Sequence, residues 1–120
     1  MEPKKLALRI AAIAKSKKAQ DVIALDVRKS CAFCDYFVIL SATSVRAANA
    51  IAEAVQEDLE KKGIRPASRP NPNDESGWVA LDYHSVLAHI FYQPMREFYS
   101  LERLWSDAKR IRIPSSRKTS

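Results

Sequence analysis

The sequence predicts a single domain of the α+β class, in which helices cover a mixed β-sheet. The chain has 120 residues, of which 47% are hydrophobic and 28% are charged, and this size suits one hydrophobic core. Short segments rich in β-branched residues alternate with segments whose apolar residues recur at every third or fourth position. The predicted elements follow one another in the order αββαββα, which is typical of the α+β class.

The first three elements are a helix and two strands. Leu6, Ile10 and Ile13 recur at helical spacing and predict an opening amphipathic helix. The segment VIALDV, residues 22–27, is rich in β-branched residues and predicts the first strand. The segment YFVIL, residues 36–40, is continuously apolar, which predicts a second strand buried on both faces.

The clearest helix of the sequence follows these strands. Thr43 and Ser44 are both candidate N-caps for it, and Gly63 marks its end. The prolines and asparagines of residues 64–77 then predict a connection without regular structure. One apolar stripe runs along this helix through Ala48, Ile51, Ala52, Val55 and Leu59.

A β-hairpin and a closing helix complete the predicted domain. Alternating apolar residues predict strands at residues 78–82 and 86–92, joined by a turn of three residues at 83–85. Pro94 suits the first turn of the closing helix, which is expected to run to about Lys109.

The positive charge lies at the two ends of the chain. Residues 1–109 are expected to form one domain, and residues 110–120 a basic, flexible tail. Of the net charge of +6, residues 1–20 supply six basic side chains against Glu2, and residues 109–120 supply five without an acid. Basic ends suit a polyanion such as ribosomal RNA, although solubilising termini explain them equally well.

The composition also bears on membranes and location. No apolar run approaches the roughly 20 residues that a membrane helix requires, so no membrane partner is expected. The N-terminal segment has helically spaced apolar residues and lacks a following small-residue cleavage site, which argues against a secretory signal. A cytoplasmic protein is expected, and an organelle address is left open.

The segment CAFC has the spacing of a redox pair or of half a zinc site. A structural zinc ion needs four ligands, and the other soft donors are His84 and His89. A redox pair prefers the N-terminus of a helix, whereas a predicted strand follows here. Cys31 and Cys34 are therefore expected to be unpaired thiols, and no metal or cofactor is expected.

Enzymatic nucleotide transfer is not expected. Asp26, Asp35 and Asp82 lie in or beside predicted strands, as metal-binding carboxylates often do. However, the chain has only two glycines, so it lacks a glycine-rich phosphate loop, and it lacks a closely spaced acidic pair for magnesium. Asp26 is instead expected to pair with a nearby arginine.

The segment from Trp78 to Trp105 is the most informative part of the chain, because it holds seven of the ten aromatic residues. Aromatic and arginine side chains contribute much of the affinity at protein interfaces. Trp78, Ala80 and Asp82 share one face of their strand. On the closing helix Arg96 and Tyr99 lie beside a stripe that is expected to be mainly core, formed by Phe98, Leu101 and Trp105.

From about Leu6 to Ala108 the chain resembles the ribosomal silencing factor family, also called the Iojap-like proteins. The resemblance is carried by four motifs in order: VIALDV at 22–27, CDYFVILSATSVRAANAIAEAV at 34–55, WVALDYHSVLAHIF at 78–91 and REFYSLERLWSDA at 96–108. Each motif is weakly specific alone, but the four together at this spacing are quite specific.

The resemblance implies a nucleotidyltransferase-like fold without a catalytic site. It also implies that the protein binds the large ribosomal subunit through ribosomal protein uL14, blocks joining of the two subunits and represses translation, with a possible role in large-subunit assembly. A homodimer is implied as well. The interface candidates taken from the motifs are Trp78, Asp82, Tyr83, His89, Arg96, Tyr99 and Trp105.

The chain departs from the family pattern in the hairpin turn, which usually contains Gly-Asp where this chain has His84 and Ser85. Ala42 stands where glycine is common, and NPNDESG replaces an acidic, glycine-containing segment before Trp78. Two other hypotheses remain at this point. The basic ends would suit a small RNA-binding module, and the implied fold would suit a nucleotidyltransferase-like enzyme.

Overall fold

A computed structural model describes residues 1–67, 69–71, 75–99, 103 and 108–113, with the side chains of 97–99 excepted. The elements are α1 (Pro3–Ser16), β1 (Gln20–Asp26), β2 (Tyr36–Ala42), α2 (Val45–Glu60), β3 (Trp78–Asp82), β4 (Val86–Tyr92), α3 (Gln93–Tyr99) and β5 (Lys109–Ile111). The predicted order αββαββα is confirmed, and one further strand follows it.

The strands form one mixed sheet in the order β3-β4-β2-β1-β5. The central strands β2 and β4 are parallel, and the remaining neighbours are antiparallel. The predicted hairpin is confirmed, since β3 pairs with β4 across the turn at 83–85. Strands β3 and β5 are therefore the two edges of the sheet.

The larger core lies between the sheet and the helices α1 and α2. Ile10 of α1 and Val55 of α2 are fully buried against Val38 of β2 and Ile90 of β4. Ser44 is the N-cap of α2, because its Oγ accepts a hydrogen bond of 2.9 Å from the amide of Ala47. Strand β2 is buried along its whole length, as its apolar sequence predicts.

The opposite face of the sheet carries a smaller core. Its central side chains are Leu25 of β1, Phe37 and Ile39 of β2 and Phe91 of β4, with Met95 of α3 packed against them. Alternate residues of each strand point to the two faces, so the register of the pairing decides which side chains meet here.

The C-terminal part contains a strand that the sequence did not predict. Lys109 does not end a helix, because Lys109–Ile111 form β5, which pairs with Asp26, Leu25 and Ala24 of β1. The boundary at 109–110 therefore falls inside the sheet. An edge strand of three residues with exposed basic side chains lacks an alternating pattern long enough to be recognised. Residues 114–120, the rest of the expected tail, lie outside the described part.

The helices in the described part of the chain include none that is both long and apolar enough to cross a membrane.

Candidate partner-binding site

Strand β3 presents an open surface on the face of the sheet that α1 and α2 do not cover. Trp78, Ala80 and Asp82 alternate on this face, and the register places them beside Phe91, His89 and Leu87 of β4. Ala80 and Asp82 are exposed, whereas Trp78 and Leu87 are half-buried. We call the surface of Trp78, Ala80, Asp82 and Leu87 the edge face.

Trp78 is held by contacts with β4. Its indole stacks on the ring of Phe91 with 5.2 Å between centroids. The indole Nε1 donates a hydrogen bond of 3.1 Å to Nδ1 of His89. The orientation of the half-buried ring is therefore set before any partner arrives, which lowers the entropy cost of using it as an anchor.

His89 supports the edge face from inside. It is 5% exposed and makes an edge-to-face contact with the Phe37 ring, with 5.0 Å between centroids. Burial lowers the pKa of His89 from 6.5 to about 4, so the imidazole is neutral at physiological pH. Its Nε2 atom is buried and has no hydrogen-bond partner among the described residues.

Asp82 shapes the turn that ends the edge face. Its carboxylate accepts a hydrogen bond of 2.8 Å from the amide of His84, whose φ of 70° lies in the left-handed region. Its carbonyl accepts a bond of 2.7 Å from the amide of Ala67, so the connection after α2 covers one end of β3. Such local bonds explain how a non-glycine residue occupies the left-handed conformation here.

Tyr83 lies away from the edge face. Its side chain is 4% exposed and belongs to the core beneath α1 and α2. Burial raises the pKa of Tyr83 to about 12, and the hydroxyl has no hydrogen-bond partner among the described residues. Tyr83 in this conformation contributes to the interior.

Arg96 joins α3 to the sheet. The side chain is 8% exposed, and its Nη1 donates to the carbonyl of Asp21 at 2.7 Å and to Oγ of Ser41 at 2.9 Å. Ser41 of β2 neighbours Phe91 of β4, and Phe91 neighbours Trp78 of β3, so the contact of Arg96 with Ser41 lies two strands from β3. A buried guanidinium with such hydrogen bonds fixes α3 on the sheet.

The structure thus brings Trp78, Asp82 and His89 together and places Tyr83 and Arg96 in the interior. Tyr99 is the last residue of α3, and its side chain and all of Trp105 lie outside the described part. Sequence reasoning missed Leu87, although its position on the same strand face as His89 could have indicated it. It also missed Phe33, a loop residue that is 73% exposed.

The other edge of the sheet carries a basic cleft of about 630 Å³ between the start of α1, the end of β1 and β5. Asp26 in this cleft pairs with Arg28 at 2.8 Å, as expected, and that hydrogen-bonded pair lowers the pKa of Asp26. The acidic residues at the cleft are Glu2, Asp26 and Asp35, and the basic ones are Lys4, Arg28, Lys109, Arg110 and Arg112. The fold therefore brings Lys4 of the N-terminal segment and Lys109, Arg110 and Arg112 of the C-terminal segment to one cleft.

The four soft donors do not converge on one point. Cys31 and Cys34 lie in the smaller core, Nδ1 of His89 accepts its bond from Trp78, and His84 is exposed in the turn at 83–85. In the described ranges, no group of three or more His, Cys, Asp or Glu side chains is arranged to hold a metal ion.

An aromatic, apolar face at one sheet edge and a basic cleft at the other are features of a protein that binds a macromolecular partner. The family model described as "Ribosomal silencing factor during starvation" matches residues 1–120. The ribosomal silencing factor of Bacillus subtilis is 36% identical over 102 residues, which cover 84% of this chain and 86% of that protein. The chain belongs to the ribosomal silencing factor family, whose members are ribosome-associated regulators of translation.

Two further proteins place the chain among its relatives. The Mus musculus protein named "Mitochondrial assembly of ribosomal large subunit protein 1" is 27% identical over 99 residues, covering 81% of this chain and 43% of that protein. A crystal structure of a Chromobacterium violaceum protein shares the fold with a TM-score of 0.83 at 24% identity, covering 98% of each chain. The predicted family and fold class are both confirmed.

Proposed function

We propose that this protein represses translation by binding the large ribosomal subunit through ribosomal protein uL14 and blocking its joining to the small subunit. The mechanism is steric and requires no catalysis. The observation that carries the proposal is the edge face, an exposed surface with a pre-oriented tryptophan in a member of the silencing factor family. The name of the mouse relative, which refers to the large subunit, supports the choice of subunit.

The edge face has the chemistry of a protein interface. Trp78 supplies a large aromatic anchor, Leu87 adds apolar area and Asp82 supplies an exposed charge at the margin. A standard interface buries roughly 1,200 to 2,000 Å², and a few buried anchors in it provide most of the affinity. An occupied area of this size at the joining surface is sufficient to exclude the small subunit.

The interface candidates divide into two roles in this proposal. Trp78 and Asp82 contact uL14 directly, and Tyr99 and Trp105 are proposed to extend the contact along the closing segment. His89 acts as a positioning residue, because it is buried and accepts the hydrogen bond of Trp78, whereas the buried Arg96 holds α3 against the sheet. Tyr83 contributes through the core below the hairpin.

A substitution on the edge face tests the proposal without disturbing the core. Ala80 is exposed at the centre of the face, so Ala80→Arg adds bulk and charge where the partner should sit. Ala50→Arg is the matched control, since Ala50 is exposed on α2, on the helical side of the sheet. Purified subunits are mixed with each protein, and their joining is followed by light scattering. Wild type and Ala50→Arg should block joining, and Ala80→Arg should not.

The same variants identify the partner. Binding to isolated uL14 is measured by calorimetry, and Ala80→Arg should weaken it at least tenfold while Ala50→Arg leaves it unchanged. Equal inhibition of joining by all three proteins would reject the edge face as the site. Inhibition of joining without binding to uL14 would keep the steric mechanism and reject uL14 as the partner.

The basic cleft is proposed to contact neighbouring ribosomal RNA. Each phosphate that a basic side chain neutralises releases counterions, so the affinity falls as salt rises. Arg110 and Arg112 line the cleft without lying in the smaller or larger core. In the double variant Arg110→Gln, Arg112→Gln, the affinity for the large subunit should fall less steeply as salt rises. Deletion of residues 114–120 should make that salt dependence weaker still. An unchanged salt dependence of the affinity in both variants would reject the proposed contact with ribosomal RNA.

The basic cleft also favours a second candidate function, a small RNA-binding module. Selective binding to naked ribosomal RNA, retained in Ala80→Arg and lost in the double variant, would favour that function over binding to uL14. The acidic groups in the same cleft weigh against it.

A homodimer and a cytoplasmic place of action complete the proposal. Strand β3 is a sheet edge, and an edge strand can pair with a second copy of itself. Sedimentation velocity over a range of concentrations should show a monomer–dimer equilibrium. A single monomeric species at all concentrations would contradict the homodimer. In cytoplasmic extracts separated on sucrose gradients, the protein should travel with free large subunits. Its absence from those fractions would contradict the cytoplasmic place of action.

A further inference from the structure

The two cysteines lie within a short, closed loop. The amide of Val27 donates to the carbonyl of Asp35 at 2.9 Å, which closes the base of the loop, and the amide of Cys31 donates to the carbonyl of Val27 at 2.8 Å. We call residues 27–35 the dithiol loop. Its backbone bonds hold Cys31 and Cys34 in a defined arrangement.

The sulfur atoms of this loop are already in contact. Sγ of Cys31 and Sγ of Cys34 are 3.2 Å apart, and one thiol donates a hydrogen bond to the other. The residues are 7% and 6% exposed and pack against Leu25 and Phe37. A disulfide bond is about 2.05 Å long, so the sulfurs need to approach by only about 1 Å to form it.

We propose that Cys31 and Cys34 form a reversible intramolecular disulfide by exchange with a small-molecule disulfide such as oxidised glutathione. One cysteine thiolate attacks a glutathione sulfur, which forms a mixed disulfide and releases one glutathione thiolate. The second cysteine then attacks the protein sulfur of that mixed disulfide and releases the other glutathione. Both cysteine protons pass through solvent to the two glutathione thiolates, so two thiols are oxidised and one disulfide is reduced.

The surroundings assign the first attack to Cys31. Burial, followed by the hydrogen bond and charge of Cys31, raises the pKa of the Cys34 thiol to about 12. Cys34 is therefore a poor first nucleophile. Once Cys31 carries glutathione, its hydrogen bond and charge no longer hold the proton on Cys34, and the resolving step is eased.

The dithiol loop also reaches the hairpin beside the edge face. The carbonyl of Ser85, in the turn after β3, accepts hydrogen bonds from the amides of Asp35 and Tyr36 at 2.8 and 3.1 Å. Phe33, between the two cysteines, is 73% exposed. In a reducing compartment the dithiol is the resting form, and the disulfide accumulates under oxidising conditions. The inference does not depend on the proposed function.

The redox equilibrium of the full-length chain tests this site. Reduced and pre-oxidised protein are each brought to equilibrium in glutathione buffers, trapped with N-ethylmaleimide and weighed by mass spectrometry. The same measurement is made in guanidinium chloride. Because the fold holds the sulfurs in contact, the folded protein should favour the disulfide by about tenfold or more over the unfolded chain. By linkage, the oxidised protein should then have the higher Tm.

The single variants Cys31→Ser and Cys34→Ser should acquire at most one glutathione and show no change of Tm attributable to an internal disulfide. An oxidised fraction in the folded protein equal to or below that of the unfolded chain would overturn the proposal. Wild-type protein that carries glutathione or forms disulfide-linked dimers at equilibrium would overturn it as well.

Discussion

The indole Nε1 of Trp78 donates a hydrogen bond to Nδ1 of His89 across the β3–β4 pair, over 3.1 Å. Because Nδ1 accepts, the neutral imidazole carries its proton on Nε2. A half-buried tryptophan at the edge face is thus held by a buried histidine that must stay neutral. This bond connects the interior of the sheet with the surface proposed to meet uL14.

The first prediction is a pH dependence of stability that originates at His89. Its pKa is about 4 in the folded protein and 6.5 as the ordinary value, so the unfolded chain binds more protons between these limits. The free energy of unfolding should therefore fall as the pH falls from 6.5 towards 4, by about 3 kcal/mol in total. Urea unfolding at several pH values measures it.

His89→Gln is the control for that measurement, because an amide oxygen can accept the bond from Trp78 and does not titrate. Its stability should vary much less across the same window. A wild-type protein whose unfolding free energy stays constant there would contradict the neutral, buried histidine.

A second prediction concerns the hydroxyl of Tyr83. The group is buried without a hydrogen-bond partner among the described residues, so Tyr83→Phe removes a desolvated polar group and preserves the ring. The variant should be as stable as the wild type or more stable, by up to about 1 kcal/mol, and should bind uL14 equally well. A clear loss of stability in urea would show that the hydroxyl is bonded after all.

Arg96 should matter for folding more than for direct contact. Arg96→Met keeps the apolar stem but removes the donors to Asp21 and Ser41, and it should cost about 2 to 3 kcal/mol of stability. Ser41→Ala, which removes only one acceptor, should cost about 1 kcal/mol. Binding to uL14 is then compared at equal concentrations of folded protein. A large loss of binding by a fully folded Arg96→Met would assign Arg96 to the interface.

Substitution by alanine should destabilise the protein more at Gly77, just before Trp78, than at Gly63, although the two glycines have similar backbone conformations. Gly77 has φ of 82° and Gly63 has φ of 77°, so alanine is strained at both. A Cβ at Gly77 would also lie 2.8 Å from Cγ of Met95, whereas a Cβ at Gly63 would have no atom of the described residues within 4 Å. Gly63→Ala should cost about 1 kcal/mol, and Gly77→Ala more. Thermal unfolding compares them, and equal losses would show that Met95 moves aside freely.

Most of the fold could be predicted because its elements have strong local signals. The apolar stripe of α2, the Ser44 cap, the buried run of β2 and the turn at 83–85 are each encoded by neighbouring residues. Strand β5 could not be predicted. It has three residues, and its place is decided by pairing with β1 rather than by its own pattern.

The candidate site was predictable only in part, for a related reason. Alternation along β3 indicated that Trp78, Ala80 and Asp82 share a face, and the structure confirms this arrangement. Alternation does not say which residues of a strand reach solvent. Burial in the assembled sheet separates exposed Asp82 from buried Tyr83, His89 and Arg96, although all four belong to the motifs that carry the family resemblance.

By itself, the sequence determined the fold class, the order of its main elements and the family, because these follow from periodicity, turn residues and motifs within short stretches of chain. Only the tertiary structure decided which distant groups meet. It bonds Trp78 to His89, seats Arg96 on Asp21 and Ser41, and joins Lys4 and Arg112 in one cleft. Such contacts depend on strand register and helix packing, which place residues far apart in the chain within hydrogen-bonding distance.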